Sequence, residues 1–198
     1  KTKRLDQIAN DIRSVQKEIE AIEAKANEIA RSKNLRPAVS SKLNEEAFEP
    51  ILTKSVRFTI LASGNSQPCI DEWEVFDRQG NNVALAVEGS TTMASGSLEG
   101  YAIHKIEHVN DGKTGNSYSW ISNQANGGWI QIDFKEPQSI QRMRWGRDRS
   151  EQYKDRTPTQ YKIEALVEAD QWKTIASHVG RMPLPSDGNE GLVEILDP

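Results

Sequence analysis

Between Ile29 and Val56 the spacing of apolar residues changes from alternating threes and fours to twos. No single regular element carries both periods. A helix brings residues three and four apart onto one face, whereas a strand sends successive side chains to opposite faces. The chain is therefore constrained to a helical segment followed by a sheet, joined where the period breaks.

The helical segment carries a heptad seam. Leu5, Ile12, Ile19 and Ala26 fill one core position, and Ile8, Val15, Ile22 and Ile29 the other, which predicts a long coiled-coil-like helix over residues 1–34. A lone helix of this length is marginal in water, because most helical stability comes from covering the apolar face. It needs a partner, and three are open: copies of the same helix, a helix from another part of a parent protein, or the chain's own second domain. The flanks are mixed, with Arg4, Asp11, Glu18 and Lys25 on one side and Ala9, Gln16, Glu23 and Ala30 on the other. A parallel homodimer sets Glu18 against Glu23, which is mildly repulsive. Pro37 cannot continue the hydrogen-bond ladder and restricts Arg36 before it. Residues 35–52 are expected to form a linker with one short helical turn.

From Val56 the twofold period takes over. In "VRFTILA" Val56, Phe58 and Ile60 share a face opposite Arg57 and Thr59, and in "WIQIDF" Ile130, Ile132 and Phe134 do so opposite Gln131 and Asp133. "IQRMRW" points Ile140, Met143 and Trp145 inward, with an irregularity implied between Ile140 and Met143; "YKIEALV" points Tyr161, Ile163, Ala165 and Val167 inward. Short strands punctuated by Gly, Asn, Asp and Pro, without a helical period among them, predict a mainly β domain, an antiparallel β-sandwich, over residues 53–198. In its tail, "GLVEI" is either a last edge strand or the start of a following module.

A formal net charge of -4 and the lack of a basic stripe argue against nucleic acid as a partner. Cys69, the one cysteine, forms no internal disulfide or thiolate metal site and is read as a packed thiol. No apolar run is long enough to span a bilayer, and no signal-peptide pattern is present. The start at Lys1 fits a piece of a larger protein.

Several stretches occur in an order that resembles a known family: "ASGS" (94–97), "VNDG" (109–112), "SW" (119–120), "GWIQIDF" (128–134), Pro137, "IQRMRWGR" (140–147), "YKIEA" (161–165) and Trp172. Together they are similar to the discoidin domain, or coagulation factor V/VIII type C domain, whose bacterial branch includes family 32 carbohydrate-binding modules. The resemblance implies a galactose-binding-like jelly roll. One departure stands out: residues 56–76 look like the family's closing strands but come first, followed by "NVALA" (82–86), which looks like its opening strand. Circular permutation accounts for this, since sandwich termini usually lie close together; the rival is a fragment straddling two tandem domains. Variants with this order resemble modules of large secreted or surface proteins of environmental bacteria. The sequence has no CxxCH and should hold no haem.

The resemblance also implies a structural Ca2+ wrapped by the "DG" loop. Asp111 and Glu72 match the family's acidic ligands, and His108, Lys113, Asn116 and Ser117 could add carbonyl or side-chain oxygens to the hard-oxygen shell that Ca2+ requires. The rival is that Asp111 only builds an Asx-turn ahead of Gly112. Trp120 and Trp129 are read as core or core-rim residues anchoring the loop. His104 and His108 lack a third zinc ligand at a recognised spacing. The family's ligand cleft lies among loops at one end of the sandwich, which implicates residues 96–104 and 146–156. Tyr101, His104, Arg147, Asp148, Arg149, Tyr153 and Arg156 have the chemistry to stack on a sugar and bond its hydroxyls or acidic groups. Arg147 is the leading candidate; the rival is an ordinary solvated charged loop.

The resulting expectation is a non-catalytic carbohydrate-binding module, extracytoplasmic, with a glycan as partner. The alternative is a protein-interaction or oligomerisation unit in which the coiled coil assembles and the sandwich is a scaffold. Polar loop tips argue against membrane docking. No nucleophile–base order or phosphate-cradling glycine loop suggests an enzyme, and "DEWE" (71–74) is read as strand surface plus one calcium ligand.

Overall fold

A computed structural model of the protein describes residues 2–184; the expected "GLVEI" strand lies outside them. Two units are present: the helix and the chain up to Ala38 together with residues 180–184, and the sandwich, Val39–Val179.

The helix, α1, spans Thr2–Ser32. It stops where Asn34 takes the left-handed conformation (φ 54°). The Leu35 N–H then turns back to the Ala30 carbonyl at 2.8 Å, a Schellman-type closure that an asparagine tolerates well. Just beyond, the Arg36 N–H donates to Gly180 O and the Met182 N–H to Arg36 O, each at 2.8 Å. Leu5, Ile8, Ile12, Val15, Ile19 and Ile22 are between 44% and 66% exposed. Ala26 and Ala30, one turn further on, are buried.

Eight strands form the sandwich: β1 (Asn44–Ala62), β2 (Cys69–Ile70), β3 (Glu72–Asp77), β4 (Thr91–Ala94), β5 (Trp120–Ile121), β6 (Gly128–Gly146), β7 (Gln160–Glu168) and β8 (Gln171–Ser177). The main sheet runs β3-β6-β1-β7-β8, with β4 also on β6, while β2 and β5 make a small second sheet. Every pairing between these strands is antiparallel. Val56, Phe58 and Ile60 lie between β6 and β7, so the front segment sits inside the sheet, not outside it.

The strands are not all short, as expected from the punctuation: β1 and β6 each run 19 residues. Each serves two layers. The start of β6 pairs with residues 55–60 of β1 and with β4, whereas its end pairs with residues 44–53 of β1 and with β3. Register breaks at Ala47/Ile51 and Thr53/Ser55 mark the bend, as bulges do in strands that change layer. Phe58, from one layer, meets Trp73 and Trp145 from the other edge-on, with centroids 5.6 and 5.2 Å apart, and stacks on Tyr161 at 5.1 Å. This aromatic group is the centre of the core.

The inward residues read from the alternation are buried, except Val167, which is 41% exposed. It is the last but one residue of β7, beyond the buried Ala165. The irregularity near Met143 is a bulge: Phe76 faces Arg142 but Asp77 faces Ile140, leaving Gln141 unpaired against β3.

The linker boundary is corrected. Residues 44–52 are strand, not linker. Their inward positions carry polar side chains, which hides the alternation: Asn44 and Glu46 are both buried. Asn44 Nδ2 donates to the Ser40 carbonyl at 2.6 Å and its Oδ1 accepts the Ser40 N–H at 2.9 Å. Glu46 accepts the Tyr161 hydroxyl. Buried polar groups satisfied in this way cost little.

Candidate functional site

The loops after η-turn residues 106–110 and after β6 converge on the start of β3, and a single carboxylate joins them. Asp71 is fully buried. Its Oδ2 accepts the Gly115 N–H at 2.9 Å and the Arg149 N–H at 2.7 Å, while Oδ1 accepts the Glu72 N–H at 2.7 Å. Burial pushes its carboxyl above the usual range against the pull of these donors. Gly146 permits the crowding: a Cβ there would lie 2.4 Å from the Lys42 carbonyl oxygen and 3.1 Å from Asp71 Oδ1.

Next to this clamp, buried Glu72 faces Asp111. Both Glu72 oxygens lie 3.3 Å from the Gly112 N–H, a long contact. Burial first, and the Asp111 charge second, push the Glu72 carboxyl up to about 9. Asp111 Oδ1 accepts the Lys113 N–H at 2.8 Å, which is the Asx-turn, and Gly112 follows at φ 78°. Asp111 Oδ2 meets His108 Nδ1 at 2.9 Å. The His108 ring stands edge-on to Tyr118, 5.9 Å between centroids. Two carboxyl groups pressed together, one of them poorly bonded, suit a hard cation that would relieve their repulsion. Among the described residues no group of three or more His, Cys, Asp or Glu converges. Any Ca2+ shell here would therefore be completed by carbonyl oxygens and water.

A second cluster lies beside the clamp. Arg147 is buried, and its guanidinium is spent within the protein: Nε donates to the Asp155 carbonyl at 2.7 Å, Nη1 to Asn116 Oδ1 at 2.8 Å and Nη2 to Asp155 Oδ1 at 3.1 Å. It also lies 5.3 Å from the Tyr153 ring centre. His104, from the parallel bridge with Ser119, puts Nδ1 2.9 Å from Ser119 Oγ, so Nε2 is the nitrogen left for a ligand. Burial, and then the Arg147 charge, lower the His104 pKa. Tyr101 lies 6.1 Å from the His104 ring, centroid to centroid, and Arg156 Nη1 donates to Gln67 Oε1 at 2.8 Å. Tyr101 is 58% and Tyr153 42% exposed.

Residues 108–184, from the aspartate turn through β8, match the family model of the NedA-like, galactose-binding domain of F5/F8 type C. That segment is similar to the F5/F8 type C family. No curated protein matches the chain. F5/F8 type C domains are binding domains, generally non-catalytic, and typically extracellular or surface-borne. No helix among the described residues is long and apolar enough to cross a membrane.

The expected ligand residues do not all meet. Tyr101, His104, Arg147, Tyr153 and Arg156 gather at the end loops. Asp148 and Arg149 are occupied elsewhere. Burial would raise the Asp148 pKa, but bonds from Ser150 and from the Tyr153 N–H hold it below the ordinary range; it organises its own turn. Arg149 reaches back to Glu74 Oε2 at 2.7 Å. Among the expected calcium ligands, His108, Asp111 and Lys113 share one turn, and Glu72 faces it from the start of β3. Asn116 instead bonds Arg147 through Oδ1 and Ser119 through its carbonyl, and Ser117 is exposed. Trp120 is fully buried, its Nε1 3.2 Å from the Gly96 carbonyl. Trp129 is half-buried on the sheet's outer face, 4.9 Å from the Arg57 guanidinium, which also lies 4.3 Å from Trp172. "DEWE" is corrected from strand surface: Asp71 and Glu72 are buried. Asp71 carried no sequence signal, because its partners are backbone N–H groups, which have no residue-type signature.

Proposed function

We propose that the chain is a non-catalytic carbohydrate-binding module of a larger secreted or surface protein, and that its end loops hold a glycan. The observation that carries this reading is the grouping of Tyr101 and Tyr153, both exposed, around His104 and Arg147. A pyranose offers C–H faces that stack on an aromatic ring and hydroxyls that need directional donors and acceptors. With its pKa lowered, His104 is a neutral imidazole at neutral pH; Ser119 Oγ gives its proton to the Asn116 carbonyl, so His104 Nδ1 donates to Ser119 and Nε2 is left as an acceptor for a sugar hydroxyl. Arg147 sets the floor of the site: its bonds to Asp155 and Asn116 tie the loops that carry both tyrosines' neighbours. Arg156, which is not buried, favours a glycan with acidic substituents. The family's galactose-binding-like character supports the carbohydrate class.

A structural Ca2+ belongs to the same reading. Glu72 and Asp111 would bind it through carboxylates, and His108, Lys113 and Ser117 through carbonyl or hydroxyl oxygens; Asn116 would have to leave its present partners to join. The ion would fix the loop that precedes Trp120 and so steady the site without touching the sugar.

Calorimetry against galactose-containing, uronic and sulfated polysaccharides tests the function. Binding to at least one class, weakened tenfold or more by Tyr101→Ala or His104→Gln with an unchanged melting temperature, is the expected result. Null heats across all three classes overturn it.

A further inference from the structure

We propose that the outer face of the main sheet, around the second half of β1, carries a second glycan site, in which Trp129 and Trp172 stack on the sugars of an acidic polysaccharide and Arg57 between them grips a carboxylate or sulfate. The inference rests on the carbohydrate reading above but uses none of the end-loop residues.

On β1 the side chains of Val56, Phe58 and Ile60 fill the core, so Arg57 points away from it. The same alternation sends Trp129, Gln131 and Asp133 of β6 to the outer face, because Ile130, Ile132 and Phe134 are the buried set. The register places Arg57 opposite Gln131 on one side and opposite Glu164 of β7 on the other. Trp172 reaches the patch from β8, where it pairs with Leu166. The guanidinium carbon of Arg57 therefore has a half-buried indole from each side of β1, 4.9 Å away at Trp129 and 4.3 Å away at Trp172.

Hydrogen bonds decide which edge of Arg57 stays open. Its Nε and Nη2 both donate to Gln131 Oε1, at 3.1 and 2.7 Å. Gln131 is itself buried and held in place: its Nε2 donates to Asp133 Oδ1 at 2.8 Å, and that oxygen also accepts the Ser55 hydroxyl at 2.5 Å. One carboxamide oxygen thus occupies the side edge of the guanidinium. The end edge, Nη1 with the second hydrogen of Nη2, meets no acceptor among the described residues. Glu164 does not fill it, since its Oε1 accepts the Lys162 ammonium at 2.8 Å instead. Both carboxylates of the patch are engaged by other residues.

A rigid fork of N–H groups matches the paired oxygens of a carboxylate or a sulfate, and an arginine keeps its charge at any physiological pH. The flanking indoles supply the surface on which the C–H faces of a pyranose stack. Gln131, Lys162 and Glu164 around them suit a hydroxyl-rich chain better than the apolar centre of a protein interface.

Acrylamide quenching of tryptophan fluorescence tests this in the full chain, because Trp73, Trp120 and Trp145 are fully buried and Trp129 and Trp172 are the two left to report. The measurement is made with Tyr101→Ala and His104→Gln together, so that the end loops are silent. Polygalacturonate or dextran sulfate should protect the pair from the quencher, and uncharged dextran should not. Protection by one polyanion alone supports the site and names its oxyanion. Arg57→Lys, which keeps the charge but loses the fork, should weaken protection about fivefold or more with an unchanged melting temperature. Trp172→Ala should weaken binding to the same polyanion, read by calorimetry, to a similar degree. Lack of protection by both polyanions overturns the proposal whatever the end loops bind, and so does protection that dextran equals or that Arg57→Lys leaves intact. Failure of the end-loop reading shows separately, as a wild-type affinity that Tyr101→Ala and His104→Gln do not change.

Discussion

The Gly112 N–H sits 3.3 Å from each carboxylate oxygen of Glu72, which shares its buried site with the Asp111 carboxylate. Burial and that neighbour push Glu72 up to about 9, so the metal-free folded protein holds a proton that the unfolded chain, with an ordinary carboxyl, has released. Stability must then fall as pH rises between the ordinary and the raised values, by up to about 1.4 kcal/mol per pH unit. In chelator the melting temperature should drop from about pH 5 to pH 8, and added Ca2+ should restore it and flatten the profile. Glu72→Gln should lose its response to Ca2+ and show a shallower pH dependence, the remainder coming from groups such as Asp71, whose carboxyl is also raised. A flat profile for the wild type in chelator would remove the basis for the ion.

Asp71 is the clamp on which both candidate sites rest. Asp71→Ala strands the buried N–H groups of Gly115 and Arg149, and unsatisfied buried donors at two points cost about 2–4 kcal/mol. Urea unfolding should show that loss, with new protease cuts in residues 111–119 and 147–156. A change below about 0.5 kcal/mol would mean that the two loops are held by other contacts.

What could be read from residues alone follows from how each part is stabilised. The alternation of Val56, Phe58 and Ile60 and of Ile130, Ile132 and Phe134 was legible because apolar burial leaves a periodic trace. The bulge at Gln141 was legible for the same reason, as a break in that trace between Ile140 and Met143. Residues 44–52 were not legible, since Asn44 and Glu46 face inward on hydrogen bonds, and a polar residue satisfied at long range looks like a surface residue. The site divides the same way. Glu72 and Asp111 came from a resemblance in local motif, whereas the engagement of Arg147 with Asp155 and Asn116 depends on loop closure across 8 and 31 residues of separation.

The hidden start of β1 can be tested through Glu46, which accepts the Tyr161 hydroxyl in the core. Tyr161→Phe removes that donor from a buried carboxyl and should cost about 1–3 kcal/mol in chemical denaturation. Leu52→Ala, on the same strand but 66% exposed, should stay within about 0.5 kcal/mol. Equal, small effects would show that residues 44–52 fold as an adjustable linker after all.

Cys69 is buried, and burial pushes its thiol up to about 11. A thiol that is neither exposed nor ionised near neutral pH is a poor nucleophile. The native protein should stay unlabelled by a disulfide thiol reagent at pH values where the denatured protein labels at once. Rapid labelling without denaturant would show that β2 opens locally, next to Arg147, to whose carbonyl the Cys69 sulfur is 3.8 Å away.

Phe58 ties the two layers together, since its ring meets Trp73 and Trp145 on one side of the core and Tyr161 on the other. It lies on the front segment whose place between β6 and β7 closes the sandwich. Phe58→Ala leaves a cavity lined by rigid aromatic rings that cannot collapse into it, and such truncations cost about 3–5 kcal/mol. Phe58→Leu keeps most of the volume and should cost less, about 1–2 kcal/mol. Because one bent sheet supplies both layers, the loss should appear as a single cooperative transition shifted to lower denaturant with an unchanged slope. Two separated transitions in Phe58→Ala would mean that the layers fold independently, and that the front segment is an accessory to the sandwich and not part of its core.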